Sequence, residues 1–284
     1  MKTVLITGAS GFVGQRFCAN NKDRYSIKTV SLQNVQIEDL DLSGVDVILH
    51  LAGIAHRMEK TDDSLYFEVN YELTKKLAEA AKQDGVDHFI FVSTIKVYGD
   101  DYDLVTPETE CRPNDAYGKS KLMAEEALKD LESDDFGVSI VRPPLIYGQG
   151  VKGNMQKLMA LVEKRKYIPL GKINNKRSML GLDNFVALLD RVIETSKSGT
   201  FLIQDSEPVS TSRLISEIAK GKDIQINLIS IPAVMRFTIK KLAPEIYKRL
   251  FGSLVVDDSV TRNILSFEPP YSFEEGVRLM AKNN

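Results

Sequence analysis

Thr3-Val4-Leu5-Ile6-Thr7-Gly8-Ala9-Ser10-Gly11-Phe12-Val13-Gly14 opens the chain with a short apolar run that ends in a glycine-rich turn. An apolar run without polar alternation is the pattern of a strand buried on both faces, as in a parallel sheet. Glycine at 8 and 11 lets the backbone turn tightly and approach a phosphate, and Gly14 lets the following helix pack on the strand. Helical periodicity from about Gly11 to Asn20 then presents free N–H groups and a positive dipole end to an anion such as a pyrophosphate. The spacing is G-x-x-G-x-x-G, not the G-x-G-x-x-G of the standard dinucleotide fingerprint. Directly after an N-terminal strand it reads as a phosphate cradle; the plain alternative is a structural strand-to-helix turn.

Further strands are expected at Ile27 to Val30, Val45 to Leu51, His88 to Ser93 and Val138 to Val141, the last stopped by Pro143-Pro144. Helices are expected at Asp63 to Gln83, closed by Gly85, and at Asp115 to Leu131. Strand and helix in alternation imply an α/β fold with a doubly wound parallel sheet. Only about fifteen residues separate the second strand from Val45, too few for a full crossover helix and strand, so that edge is expected to be trimmed. After residue 148 the helical segments shorten: Asn154–Lys166, Asn184–Thr195, Ser212–Lys220, Pro244–Phe251 and Phe273–Ala281, with strands at Phe201–Ile203 and Ile226–Ile229. This half reads as a smaller C-terminal α/β domain with segments returning to the main sheet.

The 284 residues suffice for a sizeable core, and 37 basic against 39 acidic residues (net −2) give no electrostatic case for nucleic acid. Cys18 and Cys111 form no C-x-x-C or zinc spacing, which suits a reducing compartment. A strand-like segment from Lys2 leaves no room for a signal peptide, and no apolar run approaches the ~20 residues that span a bilayer. A cytoplasmic protein is expected. His50, His56 and His88 form no metal constellation, and no metal is expected; His50 and His88 read as structural, and His56-Arg57 follows a strand end where ligand-contacting loops lie.

Tyr117-Gly118-Lys119-Ser120-Lys121 puts a phenol and an ammonium four residues apart, on one helix face. A fixed positive charge favours the phenolate and is expected to bring the tyrosine toward a useful pKa for proton transfer. Alone, the pair is a common helical coincidence.

Its company changes that. The glycine spacing, Ser93-Thr94-Ile95-Lys96-Val97-Tyr98-Gly99 and Tyr117-x-x-x-Lys121 together resemble the extended short-chain dehydrogenase/reductases, in their NAD-dependent epimerase/dehydratase branch. The likeness extends to His50-Leu51-Ala52-Gly53, Asn70 and Arg142-Pro143-Pro144-Leu145-Ile146-Tyr147-Gly148. It implies a Rossmann-type NAD(P)-binding domain over 1–148, with returning segments near 178–205, and a nucleotide-sugar-binding domain over 149–177 and 206–284. It also implies that Thr94, Tyr117 and Lys121 are catalytic: Thr94 bonds the reacting oxygen, Tyr117 is the acid/base, and Lys121 holds the cofactor ribose and lowers the tyrosine pKa. The implied cofactor site comprises Gly8, Ser10, Gly11, Phe12, Val13, Gly14, Leu51, Ala52, Gly53, Asn70, Tyr117, Lys121 and Pro143. Asn154, Arg177 and Arg249 match positions that, with Thr94, bind a UDP-sugar. Solvation is the alternative reading for each arginine.

Dehydratases of the branch carry Asp-Glu after the threonine; Ile95 and Lys96 stand there, so water elimination is not expected. The second half resembles reductases of bacterial surface-polysaccharide pathways. The leading expectation is NAD(P)H-dependent reduction of a UDP-4-keto-6-deoxy-N-acetylhexosamine to a quinovosamine- or fucosamine-type sugar. UDP-hexose 4-epimerase is the rival, and a non-catalytic NAD(P)-binding protein a third reading. Val30-Ser31-Leu32-Gln33-Asn34 lacks the acid of NAD-specific folds; Ser31, Gln33 or Asn34 can bond a ribose hydroxyl and Arg16 a 2′-phosphate, so both NADP(H) and NAD(H) stay open. Family members pair through helices like Asp63–Gln83 and Asp115–Leu131, which implies a homodimer. Between Ile231 and Phe251, Arg236, Lys240, Lys241, Lys248 and Arg249 alternate with apolar residues: either a helix pair with a solvated face or weak association with an anionic membrane surface.

Overall fold

The computed structural model describes residues 1–33, 35–54 and 62–282. Asn34, His56 and Arg57, singled out above, lie outside the described residues. Six parallel strands form the central sheet, in the spatial order Gly199–Leu202, Gly137–Arg142, His88–Val92, Val47–His50, Thr3–Thr7, Ser26–Val30. The chain leaves Thr3–Thr7 toward one edge and returns to its other side with Val47–His50, so the strand order reverses between those two strands. Crevices at such reversals, beyond the carboxyl ends of the strands, are where open α/β sheets bind ligands.

Pleating sends alternate side chains of each buried strand to opposite faces. Val4, Ile6, Val47 and Leu49 meet Phe17 of helix Phe12–Asn21 and Phe185, Leu188, Leu189 and Val192 of helix Leu182–Thr195. Leu5, Ile48, Phe89 and Phe91 face the other way, onto Leu77, Ala78 and Ala81 of helix Leu73–Gln83 and Ala124 and Leu128 of helix Ala116–Leu131. Both faces are covered, which is why the strands carry almost no polar alternation. The expected trimming is present: Ser26–Val30 is the outer strand, and a single 3-10 turn, Ile37–Asp39, bridges to Val47.

A second core lies beyond residue 146. Helices Asn154–Lys164, Thr211–Gly221 and Phe273–Lys282 enclose Met155, Met159, Ile168, Ile215, Phe273 and Met280 beside the parallel pair Tyr167–Gly171 and Asn227–Ser230. The helix expected to reach Lys166 stops at Lys164 because Tyr167 starts that strand. Two further parallel pairs, Leu145–Tyr147 with Met179–Gly181 and Leu104–Val105 with Val255–Val256, tie distant segments together. The helical run 63–83 is continuous, but its Glu68–Glu72 portion is π-helical. Helix Ala233–Leu242 precedes Pro244–Phe251, the helix pair that the stretch from Ile231 to Phe251 allowed.

One buried ion pair joins the layers at the end of the sheet that matters. Glu125 of helix Ala116–Leu131 is fully buried and accepts from Arg142 Nε at 3.0 and 3.1 Å and from its Nη2; Ser93 Oγ also donates to it. Arg142 Nη1 donates to the Tyr98 hydroxyl at 2.6 Å, and the guanidinium stacks over the Tyr98 ring. Removing one partner of such a pair strands the other charge in a low dielectric. Glu125→Gln is therefore expected to lower unfolding stability by about 3–5 kcal/mol, read from urea midpoints. A loss below about 1 kcal/mol would mean that the pair behaves as a solvated one.

Candidate active site

The first turn has the shape that its glycines predict. Gly8 has φ +73°, and a Cβ there would stand 2.7 Å from the Ala52 nitrogen. A Cβ at Gly14 would overlap the Gly8 carbonyl and lie 2.6 Å from Ala9 Cα. Gly11 N–H closes the turn onto the Gly8 carbonyl at 3.0 Å. Helix Phe12–Asn21 starts with no side-chain cap and no acid in its first turn, so its leading N–H groups keep their positive potential. These features fit a dinucleotide pyrophosphate: an uncapped helix start behind a turn too tight for any side chain.

The second wall, Leu51 to Ile54, is fixed from beneath. Thr74 donates to the Asn70 carbonyl at 2.9 Å, so its oxygen accepts from His50 Nε2 at 2.9 Å, and Nδ1 accepts from Thr7 Oγ1 at 2.7 Å. Thr7 Oγ1 in turn accepts from the Ala52 N–H at 3.2 Å. This network assigns the neutral Nε2–H tautomer to His50. Burial, and then the Lys121 charge, push the His50 pKa down to about 3. Asn70 clamps Ile54 through both ends of its amide, accepting from the backbone N–H at 2.8 Å and donating to the carbonyl at 3.1 Å; it also donates to Ser120 Oγ at 3.2 Å. Gly53 runs so close that a Cβ would sit 2.9 Å from Asn70 Oδ1 and 3.2 Å from Lys121 Nζ.

Thr94, Tyr117 and Lys121 come together at the ends of the central strands. Thr94 caps the 3-10 turn Ile95–Tyr98, its hydroxyl accepting from Lys96 N–H at 3.2 Å, and it is hydrogen-bonded to Tyr117. Asp115 caps the helix that carries Tyr117, accepting from Gly118 N–H at 2.7 Å, and the Tyr66 ring packs edge-on to Tyr117 with centroids 6.1 Å apart. Lys121 Nζ donates to the Val92 carbonyl at 3.0 Å and lies 4.4 Å from the Phe91 ring centroid. Burial brings Lys121 down to about 8, with Glu125 pulling upward.

Tyr117 departs from the sequence expectation. Burial pushes the phenol up to about 12; the Thr94 hydrogen bond opposes this, and Asp115 and Tyr66 add to it. The Lys121 ammonium is directed at the Val92 carbonyl and the Phe91 ring, and burial dominates the phenol's proton affinity. Ile95 and Lys96 offer no acid, and Lys96 is paired with Asp100 at 3.2 Å.

Of the expected substrate residues, two share a neighbourhood. Arg177 donates to the carbonyls of Lys248 and Gly252 at 3.3 and 3.4 Å. Burial holds its guanidinium below the usual range, Asp100 raises it, and nearby Arg249 lowers it further. Arg249 is exposed. Asn154, also exposed, opens helix Asn154–Lys164 behind Gly153 at φ +71°, and no contact links it to either arginine among the described residues. Arg16 is committed to Asp183 at 2.6 Å. Pro143 is buried, its carbonyl accepting from Ile95 N–H at 3.2 Å. Ser31 and Gln33 are exposed beyond the second strand. A cavity of about 730 Å³ lies beside the glycine turn, between Ser10, Gly11, Phe12 and Arg16 and the segment Tyr147 to Lys152; neither Thr94 nor Tyr117 lines it.

Glu125 and Ser93 escaped the sequence reading, as did the part that Arg142 plays. The available signal was slight: Glu125 follows Lys121 by four residues, hence on the same helix face.

Residues 4–203 match the NAD dependent epimerase/dehydratase family. The chain is 34% identical to the UDP-glucose 4-epimerase of Vibrio cholerae, over 99% of this chain and 95% of that protein. It is 31% identical to the UDP-2-acetamido-2,6-beta-L-arabino-hexul-4-ose reductase of Pseudomonas aeruginosa, over 71% of this chain and 52% of that one. Among solved structures, the UDP-glucuronic acid 4-epimerase of Bacillus cereus in complex with NAD superposes with a TM-score of 0.78 at 22% identity, covering 99% and 98% of the two chains.

His50 yields a pH test. Its folded pKa lies below the usual value near 6.5, so the unfolded chain binds the extra proton as pH falls from about 6.5 toward 3, and stability drops in that window. Between pH 7 and pH 5 the loss through His50 is expected to be about 2 kcal/mol. In His50→Gln this contribution should vanish. Urea midpoints at both pH values read it, and equal pH dependence in the two proteins would contradict a buried neutral imidazole.

Proposed function

The chain belongs to the NAD dependent epimerase/dehydratase family, and on that premise we propose that it performs oxidoreduction at carbon four of a UDP-linked sugar. The family is NAD dependent, and NAD(H) or NADP(H) is the cofactor we assign, since structural neighbours were solved with NAD and with NADPH. The residues that would hold it are Gly8, Ser10, Gly11, Phe12, Val13 and Gly14 at the pyrophosphate, with Leu51 to Gly53, Asn70, Tyr117, Lys121 and Pro143 along its length. When bound, the nicotinamide supplies or takes up the hydride.

The protein's part is the proton. Thr94 acts on the Tyr117 phenol, so a sugar oxygen between the two would be within reach of both hydroxyls. Tyr117 would give its proton to the carbonyl oxygen that gains charge on reduction, with Thr94 bonding that oxygen. Solvent restores the phenol. The phenol, pushed up to about 12, is protonated at neutral pH, as the reducing step of either reaction requires. The observation that carries our first reading, reduction of a UDP-4-keto-6-deoxy-N-acetylhexosamine, is the likeness to the Pseudomonas aeruginosa reductase. The second is 4-epimerisation, favoured by the more extensive match to the Vibrio cholerae protein; it requires the same tyrosine to act first as a base. A purely binding role fits poorly with a chain that keeps Thr94, Tyr117 and Lys121 together.

The same reading assigns 1–148 with segments near 178–205 to NAD(P), and 149–177 with 206–284 to the nucleotide sugar. Asn154, Arg177 and Arg249 are assigned to its diphosphate; the electrostatic closeness of the two arginines supports this. It further assigns a cytoplasmic homodimer working in surface-polysaccharide synthesis.

Purified protein tests the direction: net oxidation of NAD(P)H with a UDP-4-keto-6-deoxy sugar is expected. Interconversion of UDP-glucose and UDP-galactose without added cofactor would overturn the reductase in favour of the epimerase. Tyr117→Phe is expected to lower kcat by roughly 10²–10⁴ while cofactor binding, followed by nucleotide fluorescence, persists. An unchanged rate would remove Tyr117 from the chemistry.

A further inference from the structure

The hairpin near the C-terminus has its polarity reversed. Helices Ala233–Leu242 and Pro244–Phe251 pack on one another, yet neither contains a buried residue. Where they meet, cations lie over rings: Arg236 over Phe251 at 4.9 Å and Lys240 over Tyr247 at 5.7 Å. Leu250 and Phe251 pack on the second core, but five other apolar side chains are outside. Val234 is 77%, Phe237 68% and Leu242 78% exposed, with Met235 and Ile246 about half exposed. At 3.6 residues per turn, Val234, Phe237 and Lys241 share one stripe of the first helix, and Met235 and Leu242 lie beside it. Arg236 occupies the opposite side, and Lys240, three residues after Phe237, flanks the stripe. Single exposed apolar residues are ordinary; five on one hairpin make a patch that calls for an occupant.

Charge identifies the occupant. The hairpin carries Arg236, Lys240, Lys241, Lys248 and Arg249 against Glu245 alone, a net of +4 in a chain of net −2. An apolar arc fringed by cations matches the boundary between anionic headgroups and acyl chains. Lys241 inside the arc separates this from a protein interface: buried against protein it would need a partner carboxylate, whereas at a bilayer its long stem lies along the apolar surface and its ammonium reaches the phosphates. Helices of ten and eight residues are too short to cross a bilayer, and among the described residues no helix is long and apolar enough to do so.

We propose that the hairpin 233–251 docks the protein on an anionic phospholipid surface. The hairpin is rooted in the body of the chain: Thr211 Oγ1 donates to the Leu250 carbonyl at 2.8 Å, Asn175 Nδ2 to the Gly252 carbonyl at 2.9 Å, and Arg177 to Lys248 and Gly252. Docking therefore holds the Arg177 and Arg249 neighbourhood next to the bilayer, where a sugar diphosphate used at the membrane is met directly. The docking rests on the hairpin alone and stands whichever direction the proposed reaction takes.

The test is co-sedimentation of the full chain with vesicles of phosphatidylglycerol and phosphatidylcholine in equal parts, and with phosphatidylcholine alone, at low salt. Binding is expected on the anionic vesicles and is expected to weaken as salt rises. Lys240→Gln with Lys241→Gln should weaken it about thirty-fold, and Phe237→Ser with Leu242→Ser at least ~tenfold. All four positions are exposed or rim positions, so melting midpoints equal to wild type are expected and separate lost docking from lost folding. Turnover of a soluble UDP-sugar is read in parallel, so an inactive protein that still binds vesicles would refute only the reaction. Equal retention on neutral and anionic vesicles, or wild-type binding by both double variants, would overturn the docking. So would a wild-type protein that ignores vesicles and forms a dimer that Phe237→Ser breaks, because the patch would then belong to a second copy.

Discussion

A carboxylate with no access to water organises the candidate site of this molecule. Glu125 is one helical turn beyond Lys121, accepts from the serine just before Thr94, and neutralises the arginine just before Pro143. Three elements around the candidate site thus share one buried charge: the end of strand His88–Val92, the helix Ala116–Leu131 and the end of strand Gly137–Arg142. Burying an ion pair costs desolvation that its own attraction barely offsets, so an apolar core would hold these elements with less expense. What the ion pair adds is direction. A guanidinium fork and a carboxylate meet in few geometries, and each fixes a strand end or a helix turn relative to the others.

The local signals were legible in the sequence where a single residue type forces a backbone shape. Gly8, Gly11 and Gly14 admit few alternatives, and the short gap before Val45 has no room for another crossover. Parallel strands buried on two faces leave a plain apolar signature. Pairings that depend on distant partners left no such mark: two residues at Leu104–Val105 meet Val255–Val256 some 150 positions later, and nothing local in either stretch marks the meeting. Glu125 and Arg16 were obscure for a related reason. A helical charge shows its partner only once the element that covers it is known: Asp183 lies 167 residues beyond Arg16, and Arg142 on the strand that follows the Glu125 helix.

The proton chemistry teaches the same lesson. Tyr117 and Lys121 at four-residue spacing do share a helix face, yet sharing a face does not decide which group an ammonium serves. The Val92 carbonyl and the Phe91 ring, both from the sheet beneath, hold it. Burial then acts on the two groups in opposite senses, raising the phenol and lowering the amine, because each is penalised in its charged form. Their proton affinities, nearly equal in water, are driven apart by its loss: the phenol rises to about 12 and the ammonium falls to about 8.

The π-helical turn at Glu68–Glu72 has a consequence for how this chain tolerates changes of length. Asn70 sits inside it, gripping Ile54 and reaching Ser120 at once. Each residue of an ordinary helix advances the side-chain direction by about 100°, so deleting one residue between 63 and 70 would swing the asparagine away from both partners while leaving the composition almost intact. An insertion would do the same in the opposite sense. Across this segment the gene is thus constrained in its count of codons as firmly as in their meaning: substitutions on the exposed face are open, while a gap of a single residue is closed.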